Sequence, residues 1–528
     1  MGNGATKAFA CLLLLLGCGV MTMARAQEPG NQQCVMLDRI DLDDGGILDE
    51  QRRARLFAEY LGRCIDASLL RRMLAALAQS YIELGYITTV PYLTEQNVAD
   101  GQLDIRVVPG RVEAIVDKDS GRTNARINTA FAFQRGELLN LRDLETALEA
   151  MNRPPSSVAR FDIKPGSRPG TSIVEVSTQN ASPWHLKLGV TGRRQADREE
   201  TFLTAEGAVD NPLNINDILS FRLNNNQVQQ EGQSSRAGDI NYSFPISRYL
   251  LEFNASHFTY RQGVQGVNVT YLADGRTKGL RAKLSRMLWR DQSQTLRGGL
   301  SVYRKDSRNY LANQLIEVSS YKTTLLQLDV VHQWLHARGD LTTTYSYYQG
   351  MDWFGARDDS FYDAQTGTPG QARLQFKKHS LNVFFKYRFS AAAYQWSTRA
   401  HRQYTRDVLF DNDKFSVGGD YTVRGYPDGS LYGNNAWYIN NELTRSWEID
   451  ASASVLHTIT LFGGLDYGHV RCEKDNPLSC GDLFGAALGV RSHGQRLMSS
   501  LTLAWPLKKI TAQFRRRPTL RLDMVWGF

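Results

Sequence analysis

Beyond its first 26 residues the 528-residue chain has no apolar run of about 18 residues, the length a membrane-spanning helix needs. That excludes a bundle of membrane helices, as do a charged fraction of 22% and a mean hydropathy of −0.38. No P-loop pattern, no G-x-S-x-G elbow and no H-E-x-x-H pair occurs. The 9 histidines stand without ligand spacing. Asp41, Asp43, Asp44 and Gly45 begin like a calcium loop, but the twelfth position from Asp41 is Arg52, where a bidentate Glu is required. The sequence therefore predicts no enzyme, no catalytic residue, no metal site and no cofactor. The net charge of +8 is spread along the chain and is not gathered into a basic patch with interleaved aromatics, so no nucleic-acid partner is expected.

Aromatic residues are plentiful: Tyr 23, Phe 22 and Trp 9. A high aromatic load with low hydropathy suits a membrane β-barrel, in which only every second residue faces lipid. The last positions show that pattern. Leu520, Leu522, Met524, Trp526 and Phe528 alternate with Arg521, Asp523, Val525 and Gly527. Strand side chains have a period of two, so one face is apolar and the other mostly polar or small. In a soluble protein this would be a sticky edge; in an outer membrane it is the closing strand of a barrel, with Trp526 and Phe528 as its C-terminal signal.

The N-terminus reads as a secretory signal. Lys7 supplies the positive end, Ala8 to Val20 the apolar core, and Ala24-Arg25-Ala26 a small-x-small cleavage site. The mature chain is expected to begin at Gln27. A lipoprotein signal ending Leu15-Leu16-Gly17-Cys18 is the weaker alternative, because Leu16 is bulky where a small residue is usual. Cleavage removes Cys11 and Cys18, leaving Cys34, Cys64, Cys472 and Cys480. An even number in an exported chain suggests disulfides, and Cys34–Cys64 with Cys472–Cys480 is the simplest of three connectivities. The second would cross-link a short loop and resist proteolysis.

Residues 34–110 read strand, helix, helix, strand, strand. Val35 to Ile40 is a strand and Asp49 to Leu61 a helix. Leu69, Leu70, Met73, Leu74, Leu77, Tyr81 and Leu84 form the apolar face of a second helix, stopped by Gly85. Tyr86 to Tyr92 and Leu103 to Val108 are strands. Residues 111–180 repeat the order, with strands at Val112 to Val116, Val158 to Ile163 and Ser172 to Val176 and a helix at Leu141 to Met151 ended by Pro154-Pro155. Two units of about 70 residues, each with a small sheet and two helices, are expected; the case rests on element order, since their sequences are barely alike.

From residue 181 alternation dominates. Leu381, Val383, Phe385, Tyr387 and Phe389 share one strand face, as do Thr324, Leu326, Leu328, Val330 and Trp334. Asp210-Asn211-Pro212 and Pro245-Ile246-Ser247 carry turn chemistry. Residues 181–528 accommodate about sixteen antiparallel strands of roughly ten residues with long loops, although periodicity alone does not separate about fourteen strands from about eighteen.

Two segments carry a family resemblance. Gly418-Gly419-Asp420-Tyr421-Thr422-Val423-Arg424-Gly425-Tyr426 is followed by Trp437-Tyr438-Ile439-Asn440-Asn441-Glu442-Leu443. Gly464-Leu465-Asp466-Tyr467-Gly468 is followed by Gly485-Ala486-Ala487-Leu488-Gly489-Val490-Arg491. Together they resemble the conserved-loop and lumen-strand motifs of two-partner secretion (TpsB-type) translocators, the transporters of haemolysins, filamentous adhesins and contact-dependent toxins. Leu61-Gly62-Arg63-Cys64 and Tyr81 to Thr89 resemble that family's first POTRA domain. Leu141-Arg142-Asp143-Leu144-Glu145, Met151-Asn152-Arg153 and Pro165-Gly166 resemble its second.

The resemblance implies an outer-membrane barrel with two periplasmic POTRA domains that exports a partner protein. It implies that the loop with Val423, Arg424, Gly425 and Tyr426 folds into the barrel and that Arg424 meets Asp466, with Gly464 and Gly468 leaving it room. Tyr86, Thr88, Val90 and Tyr92 are the candidate sheet edge for an extended cargo peptide, although Tyr81 reads as core. His469 is expected to be lumenal. The partners implied are a secreted β-helical exoprotein, outer-membrane lipids, and the periplasmic chaperones and barrel-assembly machinery that install such a barrel. The family commonly carries an N-terminal helix that fills the pore. Only Gln27 to Gln33 precede Cys34 here, and a helix rises about 1.5 Å per residue, so that plug is expected to be absent and the inward loop to close the pore. A passive porin is the alternative without POTRA units, and a barrel-assembly factor of the same superfamily the alternative with them.

Overall fold

The computed structural model describes residues 35–528 except 133–134, 196–197, 229–232, 361–371, 390–392, 427–429, 450–455, 474–478 and 511–515. The signal 1–26, the tail 27–33 and Cys34 lie outside the described residues, and with them the expected Cys34–Cys64 bridge. No helix among the described residues is long and apolar enough to cross a membrane. The chain forms two compact units, one of residues up to 81 with 90–108, the other of 82–89 with 109–528.

In the first unit the strand Gln102–Val108 is central, parallel to Arg39–Asp43 and antiparallel to Val90–Leu93. Helix Glu50–Phe57 is capped by Asp49, whose side chain accepts from the Arg52 backbone N–H. Helix Ala67–Glu83 buries Leu69, Met73, Leu77 and Tyr81, one residue every four, which places them on one face. They pack in a core with Leu37, Leu48, Leu103 and Ile105. The stretch that begins like a calcium loop spends its carboxylate internally. Buried Asp44 accepts from the backbone N–H of Gly46 and Leu48, both at 2.9 Å, and from the Tyr81 hydroxyl at 3.0 Å, and it pairs with Arg53. Burial, then the Asp44 charge, pushes the Tyr81 hydroxyl above its ordinary value.

The strand expected over Tyr86 to Tyr92 is shorter, at Val90–Leu93. The preceding residues turn on themselves. Gly85 has a φ of 93°, Ile87 N–H donates to Gly85 and Thr89 N–H to Tyr86, so this backbone is not free to join a ladder.

The second small sheet has the same topology. Thr171–Asn180 is central, parallel to Arg111–Asp117 and antiparallel to Ser157–Pro165. Helix Leu141–Met151 has the limits its periodicity predicts. A second helix, Ala125–Ala130, has only 6 residues, too few for a periodic signal. Val112, Ile127, Leu139, Leu144, Met151, Val174 and Val176 fill the core between helices and sheet.

From Trp184 onward sixteen long strands among the described residues close into an antiparallel barrel. The last strand, Thr519–Gly527, pairs with the first, Trp184–Gln195, from Thr519 opposite Gln195 to Gly527 opposite Lys187. Alternation sets the two faces. Leu520, Leu522, Met524 and Trp526 are 39–44% exposed on the outer face and Phe528 is 67% exposed, while Arg521 and Asp523 face the lumen. The Phe528 N–H donates to Leu186 O at 2.9 Å, which ties the chain end to the first strand. Leu328, Val330, Trp334 and Leu381 are likewise exposed outward. Cys472 and Cys480 form a disulfide across the connection between strands Thr458–Val470 and Gly481–His493.

The small domain of residues 111–180 is anchored to the turns at one end of the barrel. Arg126 Nε donates to Asn216 Oδ1 at 2.9 Å, and Asn216 Nδ2 returns a bond to Arg126 O at 2.7 Å. Arg153 donates to Ser243 Oγ at 2.7 Å and Asn216 O at 2.6 Å. Asp143 receives Arg248, and Glu149 receives Arg290 and Arg297. Burial pushes the Arg126 and Arg153 guanidiniums down from their ordinary value, opposed at Arg153 by Glu252, Asp217 and Asp210. That end of the barrel carries the chain entry at Trp184 and the exit at Phe528.

Candidate functional site

Between the strands Tyr394–Thr405 and Ala436–Glu448, which pair with each other directly, the chain makes a long excursion from the end of the barrel opposite that small domain. A short hairpin, Phe415–Val417 with Leu431–Gly433, carries it inward. Val423 and Tyr426 are buried with Val417, Leu431, Val470 and Leu483, so an apolar knot seats the loop on the wall. Gly425 has a φ of 90°, and a Cβ there would run into the backbone of Trp505 and Pro506. Only glycine lets the tip lie this close.

Arg424 follows that knot into the lumen. Its backbone N–H and its Nε both donate to Asp466 Oδ2, at 2.9 and 2.7 Å, and Nη2 donates to Asp466 Oδ1 at 2.8 Å. Nη1 donates to Glu442 Oε2 at 2.9 Å and Nη2 to Asn441 O at 3.1 Å. The guanidinium is thus held on both sides of its plane edge, an arrangement a lysine ammonium does not match. Asp466 is fully buried and also accepts from Asn440 Nδ2 at 2.8 Å. Glu442 is shared with Arg491, whose Nη1 lies 2.6 Å from Oε1 and whose guanidinium stacks 3.9 Å over Phe462. Each buried charge therefore has an opposite partner and hydrogen bonds, as burial in a confined lumen demands.

The glycines of the strand motif explain the fit. A Cβ on Gly464 would occupy the space of the Arg424 guanidinium, and one on Gly468 would meet Val417 and Val423. Gly485 leaves room for Arg424 O in the same way. The Tyr426 hydroxyl sits 2.7 Å from Lys508 O and accepts from the Lys508 N–H at 3.0 Å, which pins the far side of the tip.

Three features lie beyond the sequence expectations. The first is the Glu442–Arg491 pair; Asn440, Glu442 and Asp466 share the lumenal parity of their strands, and that signal was available. The second is Asp420, four residues before Arg424. It accepts from Arg521 Nη1 at 2.6 Å and lies 3.5 Å from Arg193, so the loop touches both the last and the first strand. The third corrects an expectation. His469 is not lumenal, because it has the outward parity of Leu465 and Tyr467. It stands beside Trp437 and 2.8 Å from Asp482.

The cargo-edge residues divide. Val90 and Tyr92 are exposed, at 57% and 43%, on the edge strand of their sheet, with Pro91 between them in a position only an edge tolerates. Tyr86 and Thr88 lie in the turn before it, and the Thr88 hydroxyl is buried without a partner among the described residues. No group of His, Cys, Asp and Glu among the described residues is arranged to hold a metal ion.

Comparison with known proteins gives a consistent result. Residues 170–492 match the family described as haemolysin secretion/activation protein ShlB/FhaC/HecB, residues 35–110 its ShlB-type POTRA domain, and residues 111–165 a further POTRA domain. The chain is 28% identical over 478 residues to the outer membrane transporter CdiB of Dickeya dadantii, covering 90% of this chain and 83% of that one. It is 28% identical over 420 residues to the hemolysin transporter protein ShlB of Serratia marcescens, covering 78% and 72%. The solved structure of CdiB from Escherichia coli superposes with a TM-score of 0.84 at 26% identity, over 97% of this chain and 93% of that one.

Proposed function

The chain belongs to the haemolysin secretion/activation (ShlB/FhaC/HecB) family of outer-membrane proteins, and from that premise we propose that it is the translocator of a two-partner secretion pair. It takes an exported partner protein from the periplasm through its POTRA domains and passes it, unfolded, through the barrel. The observation that carries this reading is the seated loop. A porin needs neither POTRA domains nor a loop held across its lumen by a buried Arg424–Asp466 pair.

The sequence carries no P-loop pattern, and no enzymatic step is assigned to it. The driving force is the cargo's own folding outside, where each emerged β-helical turn buries apolar surface and cannot easily return. Arg424 keeps the path shut at rest, and release of the loop opens it. Val90 and Tyr92 offer the strand edge on which an extended cargo segment adds. The cargo is a large β-helical exoprotein; the protein's own installation depends on outer-membrane lipids, chaperones and the barrel-assembly machinery.

The test is secretion of a large exported protein, sought among the reading frames beside this one. Deleting this chain is expected to abolish its appearance in the medium while it still accumulates in the periplasm. Undiminished secretion without the chain would refute the assignment. Loss of other barrels from the membrane instead would point to an assembly factor.

A further inference from the structure

Four neighbouring strands rise well past the membrane at the end away from the small domain of residues 111–180. They are Ser234–Ile246, Tyr249–Gln265, Thr270–Arg290 and Gln294–Leu311, of 13, 17, 21 and 18 residues, where about 9–11 suffice to span. Their register defines rows around the outer face. Ile240, Ala255, Leu280 and Arg304 form one row. Ile240 and Leu280 are 55% and 59% exposed and mark the top of the apolar band, below which Phe253, Leu284 and Leu300 are also exposed outward. One row higher stand Gly238, His257, Lys278 and Asp306; the next holds Arg236, Thr259, Arg276 and Arg308; above it are Ser234, Arg261, Asp274 and Tyr310. With strands rising about 3.3 Å per residue and tilted about 40°, successive rows are about 5 Å apart in height.

Five cations, Arg236, Arg261, Arg276, Lys278 and Arg308, thus share the lipid-side face in the rows above the apolar band, with Arg304 in the band's top row, against two carboxylates, Asp274 and Asp306. Their pairing is incomplete. Among the described residues Arg236, Arg261, Arg276 and Lys278 make no ion pair or side-chain hydrogen bond. Arg308 reaches Asp306 only at 3.9 Å, and Arg304 Nε is buried without a partner. Clustered like charges repel and are costly unless something outside the chain neutralises them. By contrast, Arg194, outward-facing near the outer end of the first strand, is paired with Glu199.

We propose that this shelf is a binding site for the phosphate groups of a phosphorylated glycolipid of the outer leaflet, the lipopolysaccharide class. The occupant must be amphipathic. Its acyl chains lie on Phe253, Leu280, Leu284 and Leu300, and its anionic head stands one to three rows higher, where guanidinium forks match phosphate oxygens. A soluble polyanion has no use for the apolar rows beneath, and a neutral lipid none for the arginines. The site goes beyond the secretion reading and does not depend on it.

The experiment uses the full-length protein in detergent, with purified lipopolysaccharide and its enzymatically dephosphorylated form as probes and native mass spectrometry as readout. The wild type is expected to retain the phosphorylated form. Arg236→Gln/Arg276→Gln/Arg308→Gln is expected to bind it about tenfold or more weakly, from roughly 1 kcal/mol per basic residue at an anionic membrane surface. Heat-modifiable gel mobility checks that the variant is folded; should it not fold, single Arg276→Gln is expected to weaken binding by about fivefold. Unchanged binding by the folded variants, equal wild-type binding of the dephosphorylated form, or full displacement by millimolar inorganic phosphate would each overturn the proposal.

Discussion

Arg193 in the first barrel strand and Arg521 in the last lie directly opposite each other across the seam that closes the barrel, and Asp420 of the inward loop reaches both. Like charges facing each other across a strand pair are destabilising. Glu200 pairs with Arg193, Asp523 with Arg521, and Asp420 spans the two. The loop is therefore part of what holds the seam, so its position and the seam's strength are coupled.

Asp420→Asn is expected to weaken the closed barrel by about 1–3 kcal/mol, since it leaves two partly buried guanidiniums sharing fewer acids. The temperature at which the folded band disappears on a semi-native gel should fall. Adding Arg193→Gln should recover part of the loss. If the double variant melts below the single one, the coupling is absent.

Arg424→Ala and Asp466→Ala should each cut cargo secretion by at least about tenfold at normal barrel abundance, and the double variant should be little worse than either. Arg424→Lys keeps the charge but not the fork that makes four side-chain hydrogen bonds, so it should resemble Arg424→Ala. Secretion by Arg424→Lys at the wild-type level would show that charge alone holds the loop.

Gly464→Ala tests the seat without touching either charge. The added methyl occupies the guanidinium's space, so the loop must lift. Single-channel recordings in planar bilayers should show larger or more frequent openings than the wild type. Quiet, wild-type currents would mean that the lumen absorbs the methyl elsewhere.

In the first POTRA domain, Tyr81→Phe removes the hydroxyl from buried Asp44 and should cost about 1–2 kcal/mol at neutral pH. The folded state raises the Tyr81 pKa above its ordinary value of 10.0, so the neutral phenol is the stabilised form. That stability is present in full below about pH 10 and is lost as pH rises toward the raised folded value. The unfolding temperature of this domain should therefore decline in alkali for the wild type and decline less for Tyr81→Phe. Parallel alkaline curves would remove Tyr81 as the titrating group.

Much of this was legible in the chain because strands and helices write their period into the residues. Helix Leu141–Met151 and the outward row Leu520 to Trp526 follow from spacing alone, because a buried or lipid-facing stripe admits only apolar side chains. The glycines of the 464–468 segment and the Arg424–Asp466 pair were legible only as a resemblance. His469 was misplaced because proximity to Asp466 was given more weight than parity; three residues along a strand reverse the face. The strand at Tyr86 was overextended because β-prone side chains do not reveal that Gly85 and Tyr86 already use the local backbone in turns.

The sequence by itself determined which face of the strands at 324–334, 381–389 and 520–528 meets lipid, since that is a property of alternate residues and needs no partner. It also determined that helical and sheet-rich units precede the barrel. Only the tertiary structure decided which charges meet. Asp420 with Arg193 and Arg521, Glu442 with Arg491, and Arg126 with Asn216 are separated by about 50 to 230 residues in the chain. Their pairing depends on barrel closure and on strand register, and a one-residue slip would turn every one of those strand side chains to the other face.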